Sequence, residues 1–269
     1  MLAAVRGAVI GKTIKSRTYY KPFFNASLTL LRNYDVVYIE NSKVACTKIK
    51  KVLLTLDNWP LTADQILEKE VHIHNKERTG LIGPENLTWR GLSRVVSGEE
   101  FFKFGFVRNP YDRTLSAYSD KIYQPQKDPT KRNYVPLAQR IKANFVGGNP
   151  REINLDRNPV SFAEFVEFIS QQKRYDMDRH WLDQHLTMWH PYVNFDFVGK
   201  LENFSNDFAY VLERIKAPAK LIEEASKKAN ATKRPRKKYY DQELARKVHD
   251  TFRKDFELYG YEGDSWTQF

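Results

Sequence analysis

The feature that most constrains this chain is the stretch "YDVVYIENSKVACTKIKKVLL", residues 34–54. An apolar run at 36–40 has the look of a buried strand, a short polar turn follows, and an amphipathic helical pattern begins at once and covers 47–56. Nucleotide-binding folds use this layout to aim backbone N–H groups at an anion. Yet the turn contains no glycine, and Lys43 comes before the helix rather than at its start. An ordinary nucleoside triphosphate would ask for both.

The same strand-then-helix sentence recurs downstream. "FFKFGFVRNP" (101–110) reads as a second strand closed by an Asn-Pro stop, and "YDRTLSAYSDKIY" as its helix, with Leu115 and Tyr118 on one face. "FDFVGKLENF" gives a third strand and "FSNDFAYVLERI" a further helix. "SFAEFVEFIS" opens with Ser161 and has Glu164 three positions on, a capping box that starts another helix. The last helix is "DQELARKVHDTFRKDFELYGY", residues 241–261. Residues 124–159 are polar, with many Pro, Asn and Gly, and suit a surface excursion. Strands alternating with helices predict an α/β fold, a P-loop-like parallel sheet flanked by helices. No internal repeat or linker interrupts the pattern, so residues 1–269 are expected to form a single domain.

Charge narrows the partners. The net charge of +11 calls for something anionic, and much of the excess lies in "KKANATKRPRKKYY", residues 227–240. No helix-turn-helix, zinc-finger or RNA-recognition signature accompanies it, so nucleic acid is not the expected partner. No run approaches the ~20 apolar residues of a spanning helix, and "MLAAVRGAVIGK" is not a signal peptide because Arg6 and Lys12 interrupt it. With Cys46 the only cysteine, no intrachain disulfide can form. That fits a reducing, cytoplasmic setting, or the Golgi lumen if the sequence is a trimmed part of a longer one.

Arg108 lies at the C-terminal end of the second strand, where open α/β sheets bind ligands. Arg113 and Ser116 follow on its helix, and an arginine fork plus a hydroxyl makes a phosphate receptor. A structural ion pair would use Arg108 equally well. Two anion sites on one sheet suit a ligand phosphorylated at two separate places.

These residues resemble a known family. "SKVACTKIKKVLL" is similar to the 5′-phosphosulfate loop of the carbohydrate sulfotransferases, PKVACTNWKRVL, and "FGFVRNPYDRTLSAYSDKI" to their 3′-phosphate motif. "HWLDQHLTMWHPYVNFDFVGKLENFSNDFAYVL" resembles a segment of the chondroitin and dermatan 4-O-sulfotransferases, and "TFRKDFELYGY" their closing motif. The motifs run in the family's order from Ser42 to Tyr261. The resemblance implies the sulfotransferase fold, 3′-phosphoadenosine 5′-phosphosulfate as donor, no metal, and a carbohydrate or glycan acceptor, which the basic balance fits if it is acidic. It places Ser42, Lys43, Val44, Ala45, Cys46 and Thr47 around the 5′-phosphosulfate, with Lys43 as the catalytic cation. It gives the 3′-phosphate to Arg108, Arg113 and Ser116, and a loop over the nucleotide to Lys233 and Arg234.

The acceptor hydroxyl needs a base of near-neutral pKa, usually histidine. "VHIHNKERTG" offers His72 and His74, and similarity to the uronyl 2-O type favours His74, with His72 second. No carboxylate or cysteine at zinc-like spacing joins them. His180 with Trp181 matches the family's HW and stands next in line as base, His185 and His190 read as structural, and Glu202 is expected at the ligand end of the sheet. Where the family has proline this chain has Ser42, where it has Asn-Trp this chain has Lys48 and Ile49, and Met188 and Tyr192 replace the cysteines of the 4-O enzymes. Two other readings stay open: a P-loop kinase or NTPase, which lacks GxxxxGK[ST] here, and a non-catalytic module that binds nucleic acid or acidic glycans.

Overall fold

Four short apolar segments make the sheet in the computed structural model, which describes residues 28–58, 73, 79–128, 133–226 and 236–268. The strands are β1 (Leu28–Leu31), β2 (Val36–Ile39), β3 (Phe102–Val107) and β4 (Phe197–Lys200). In chain order the helices are α1 (Cys46–Asp57), α2 (Trp89–Ser97), α3 (Pro110–Tyr118), α4 (Gln124–Lys127), α5 (Val135–Val146) and α6 (Phe162–Gln171). Then come α7 (Gln184–Thr187), α8 (Phe204–Arg214), α9 (Ala219–Ser226), α10 (Gln242–Thr251) and α11 (Arg253–Tyr259). Among the described residues no helix is long and apolar enough to cross a membrane.

The described residues separate into two compact units, one holding those of 28–108 and 184–226, the other those of 109–183 and 236–268. In the first, β2 pairs parallel with β3 (Val36 beside Phe102) and β3 parallel with β4 (Phe104 beside Phe197). The parallel register brings the C-terminal ends of β2, β3 and β4 to one edge of the sheet, the edge at which such sheets bind ligands. β2 is buried throughout, which is why it reads as an uninterrupted apolar run. Helices α1, α8 and α9 share one core with it: Phe106 lies 5.2 Å from Phe204 and 6.0 Å from Phe208, ring centre to ring centre. Gly199 permits this, since a Cβ there would come within 2.4 Å of the Phe106 ring.

The second unit is helical. Tyr111 on α3 packs edge-on against Tyr240 and Phe256, at 5.2 and 5.0 Å, and its hydroxyl donates to the Gly263 carbonyl at 2.5 Å. The capping box at the start of α6 is present, with Ser161 Oγ accepting from Glu164 N at 3.2 Å. Lys247 on α10 reaches Glu167 on α6 at 2.7 Å.

Three expectations change. β1, antiparallel to β2, has no signal in the sequence, because four residues buried on both faces show no period. The surface excursion is partly helical: α5 starts beside Pro136, buries Ala138 and Ile141, and stops at Gly147, whose φ of +76° is left-handed. The last helix breaks at Phe252 (φ −113°, ψ 25°), whose ring turns into the core, and α11 ends on left-handed Gly260.

Candidate anion-binding site

The turn between β2 and α1 does without glycine by bending two other residues into the glycine conformation. Lys43 has φ +70° and Ala45 φ +52°. Each non-glycine residue held there costs about 1–2 kcal/mol. Left-handed residues interleaved in such a turn make its N–H groups converge on a common point, a concavity suited to an anion. The N-cap of α1 has no side-chain cap and the first turn holds no acidic residue, so no carboxylate of that turn offsets the positive end of the helix. Ser42 and Val44 are buried, Ala45 and Cys46 half-buried, and Thr47 is exposed.

Two contacts anchor the turn from behind. Glu40, just past β2, and Lys50, on α1, form an ion pair whose side chains are only 3% and 1% exposed. Lys48, where the family has asparagine, sits 5.2 Å from the centre of the Phe204 ring, and burial lowers its pKa.

Arg108 stands where β3 ends, half-buried, and its Nη1 donates to the Lys43 carbonyl at 3.4 Å. The sheet therefore sets the Arg108 guanidinium against the backbone of the turn that carries Lys43, two residues that the sequence assigned to separate ends of a ligand. The backbone N–H and C=O of Arg108 are held by a residue the sequence did not single out. Gln184, fully buried, accepts from Arg108 N through Oε1 at 2.9 Å and donates from Nε2 to Arg108 O at 2.8 Å. The same Oε1 accepts from Asn41 Nδ2 at 2.9 Å, and Asn41 also donates to Phe106 O at 3.1 Å. A glutamine among the large apolar residues of "HWLDQHLTMW" was the one available hint.

In the helical unit, Arg113 is buried and turned to backbone: Nη1 donates to Leu182 O at 2.7 Å and Nη2 to Arg179 O at 3.1 Å. Ser116 is half-buried on α3, and its hydroxyl has no partner among the described residues. His180 Nδ1 lies 2.5 Å from Asp178 Oδ1, and Tyr134 donates to the other carboxylate oxygen at 3.3 Å. Burial lowers the His180 pKa against the opposing pull of Asp178. Burial pushes the Asp178 carboxyl upward, but bonding to His180 and Tyr134 outweighs it and leaves the pKa low.

In the sheet unit, His185 is buried, His190 stacks on Phe195 at 5.5 Å, and Glu202 is exposed in a short turn directly after β4. Met188 fills the space over Gly105, where a Cβ would meet its Cε at 2.5 Å. His72, His74, Lys233 and Arg234 lie outside the described residues.

The profile of the sulfotransferase family matches residues 27–262, running through both units. Human carbohydrate sulfotransferase 8 is 28% identical over 239 residues, which is 85% of this chain and 54% of that protein. Mouse carbohydrate sulfotransferase 14 is 30% identical over 71% of this chain and 48% of its own length, and mouse carbohydrate sulfotransferase 10 is 25% identical over 92% and 70%. The chain thus spans about half the length of the first two. No solved structure matches at a significant level. A match over so much of the sequence means that the chain belongs to the sulfotransferase family.

Proposed function

We propose that this protein transfers a sulfuryl group from 3′-phosphoadenosine 5′-phosphosulfate to a hydroxyl of a carbohydrate, with both units serving one sulfotransferase domain. The observation that carries the reading is the glycine-free turn opening α1, with Arg108 bonded to the carbonyl of Lys43. The relatives' names, carbohydrate sulfotransferases 8, 10 and 14, support the acceptor class.

The residues present suit such a donor. A terminal phosphosulfate carries less charge than a triphosphate, so converging N–H groups, one helix end and side-chain cations can hold it. The N–H groups of Val44 to Thr47 would take the 5′ end. Lys43 would stabilise negative charge on the bridging oxygen as the S–O bond to the leaving phosphate breaks, and its electron pair departs with that oxygen. Arg108 would hold the 3′-phosphate, with Ser116 the hydroxyl that the motif assigns to the same group. Arg113, fixed on carbonyls, would act by bracing its own helix. His74, with His72 as second choice, is the proposed acceptor of the proton released by the sugar hydroxyl. Lys233 and Arg234 would close over the nucleotide.

Calorimetric titration with adenosine 3′,5′-bisphosphate and, separately, with ATP tests the donor. Tight bisphosphate binding and weak ATP binding are expected. ATP bound better than bisphosphate, with turnover of ATP, overturns the reading in favour of a kinase. Labelled donor offered with a panel of unsulfated glycans then tests the acceptor, and transfer only to non-carbohydrate hydroxyls overturns that part.

A further inference from the structure

A closed ring of contacts joins the two anion receptors of the sheet unit. It runs from Lys43 O to Arg108 Nη1, through the Arg108 backbone to Gln184, and from Gln184 Oε1 to Asn41, two residues before Lys43. Asn41 and Gln184 are both fully buried, so the bond between them is shielded from water and their amides are costly to leave unpaired, while the bonds at Arg108 are part-buried. Nothing in the ring is a reacting group, yet it sets where Arg108 begins relative to the turn. Gln184 does this from both sides of one residue: it accepts from the N–H of Arg108 and donates to its carbonyl, one group from each of the two peptides that flank the Arg108 Cα.

We propose that Gln184 is a positioning and specificity-determining residue, a ruler that fixes the distance between the Lys43 turn and Arg108 and so makes binding depend on phosphate at both ends of the nucleotide. The inference rests on the donor assignment above. A ligand with only a 5′-phosphate uses the turn and ignores the ruler. One with 3′- and 5′-phosphates must satisfy both receptors at once, and gains from Arg108 only if Arg108 is already in place. Asn41 shares the task at the turn end, through the same Oε1.

The ruler differs from a merely structural buried amide in what its loss does. A core amide removed for stability weakens every ligand alike, or none. A ruler removed weakens the bisphosphate and spares the monophosphate.

The test is calorimetry with adenosine 3′,5′-bisphosphate and with 5′-AMP on wild type, Gln184→Leu, Gln184→Glu and Arg108→Ala. Gln184→Glu keeps the shape and the acceptor oxygens but loses the donor to Arg108 O, and serves if the leucine variant does not fold. The expected result is bisphosphate affinity lower by about 10-fold, the loss of one buried contact, with 5′-AMP affinity held within about two-fold. Adding Gln184→Leu to Arg108→Ala should cost little more, because the glutamine acts through the arginine. Equal loss for both ligands, full additivity with Arg108→Ala, or unchanged bisphosphate affinity in both Gln184 variants overturns the proposal. A wild-type chain that binds 5′-AMP as well as the bisphosphate overturns the ruler alone, whereas one that binds neither overturns the donor assignment beneath it.

Discussion

His180 and Asp178 form a hydrogen-bonded pair, Nδ1 to Oδ1 at 2.5 Å, with burial lowering the His180 pKa and bonds to His180 and Tyr134 lowering that of Asp178 against the effect of burial. The signs follow from the two directions. A histidine whose pKa is lower folded than unfolded favours the fold when neutral, so stability is lost as pH falls below the unfolded value of 6.5. The lowered Asp178 adds stability above its own unfolded value of 3.8, lost in turn as pH falls through the lower folded value. His180→Asn retains a donor to Asp178 without a titrating group. Denaturant unfolding between pH 5 and 8 (the window about His180's unfolded value of 6.5) should show wild type weakening on acidification and the variant following a flatter curve. Identical slopes would mean the pair does not titrate on unfolding.

Lys43→Ala should lower kcat by about 10²-fold or more while the chain still folds, because the ammonium acts mainly on charge that develops in the transition state. Alanine inherits the same left-handed backbone, so the turn's strain is unchanged. Turnover at the wild-type rate would remove Lys43 from the chemistry.

The strain in the turn can be measured separately at Ala45, φ +52°. Ala45→Gly relieves the Cβ and should not lower stability. Ala45→Val, β-branched in a left-handed position, should lower it by about 1–2 kcal/mol. Thermal unfolding of both variants decides it, and a valine variant as stable as wild type would show that the turn is not strained at this residue.

The Glu40–Lys50 pair makes a prediction about what holds α1 against β2. Lys50→Met alone leaves a buried carboxylate and should cost about 3–5 kcal/mol. Glu40→Gln added to it should recover much of that loss, since the stranded charge is gone. Chemical denaturation of the single and double variants measures the difference, and equal destabilisation by both would refute the stranded-charge account.

Much of this was legible along the chain. β2 and α1 could be read within a residue or two, and the starts of β3 and α3 within one, because each codes its own period: apolar runs for strands buried on both faces, amphipathic spacing for the helices. Ser161 and Glu164 announced α6 for the same reason, since a cap is a local contact three residues long. What could not be read was whatever lacked a period. β1 is four residues that make sense only beside β2, and the break at Phe252 is set by a ring finding the core.

The sequence by itself determined the class of fold, the order of its strand-and-helix units, and the residue types at each anion receptor, because these follow from hydrophobic spacing and side-chain chemistry within short windows. Tertiary structure alone decided how the receptors are joined. Gln184 and Asn41 lie 143 positions apart, and no local rule pairs them. The parallel register of β2 with β3 sets Lys43 and Arg108 at one edge of the sheet, and burial then obliges the two amides to find partners inside the protein: Gln184 on the backbone of Arg108, Asn41 on that of Phe106, and each on the other.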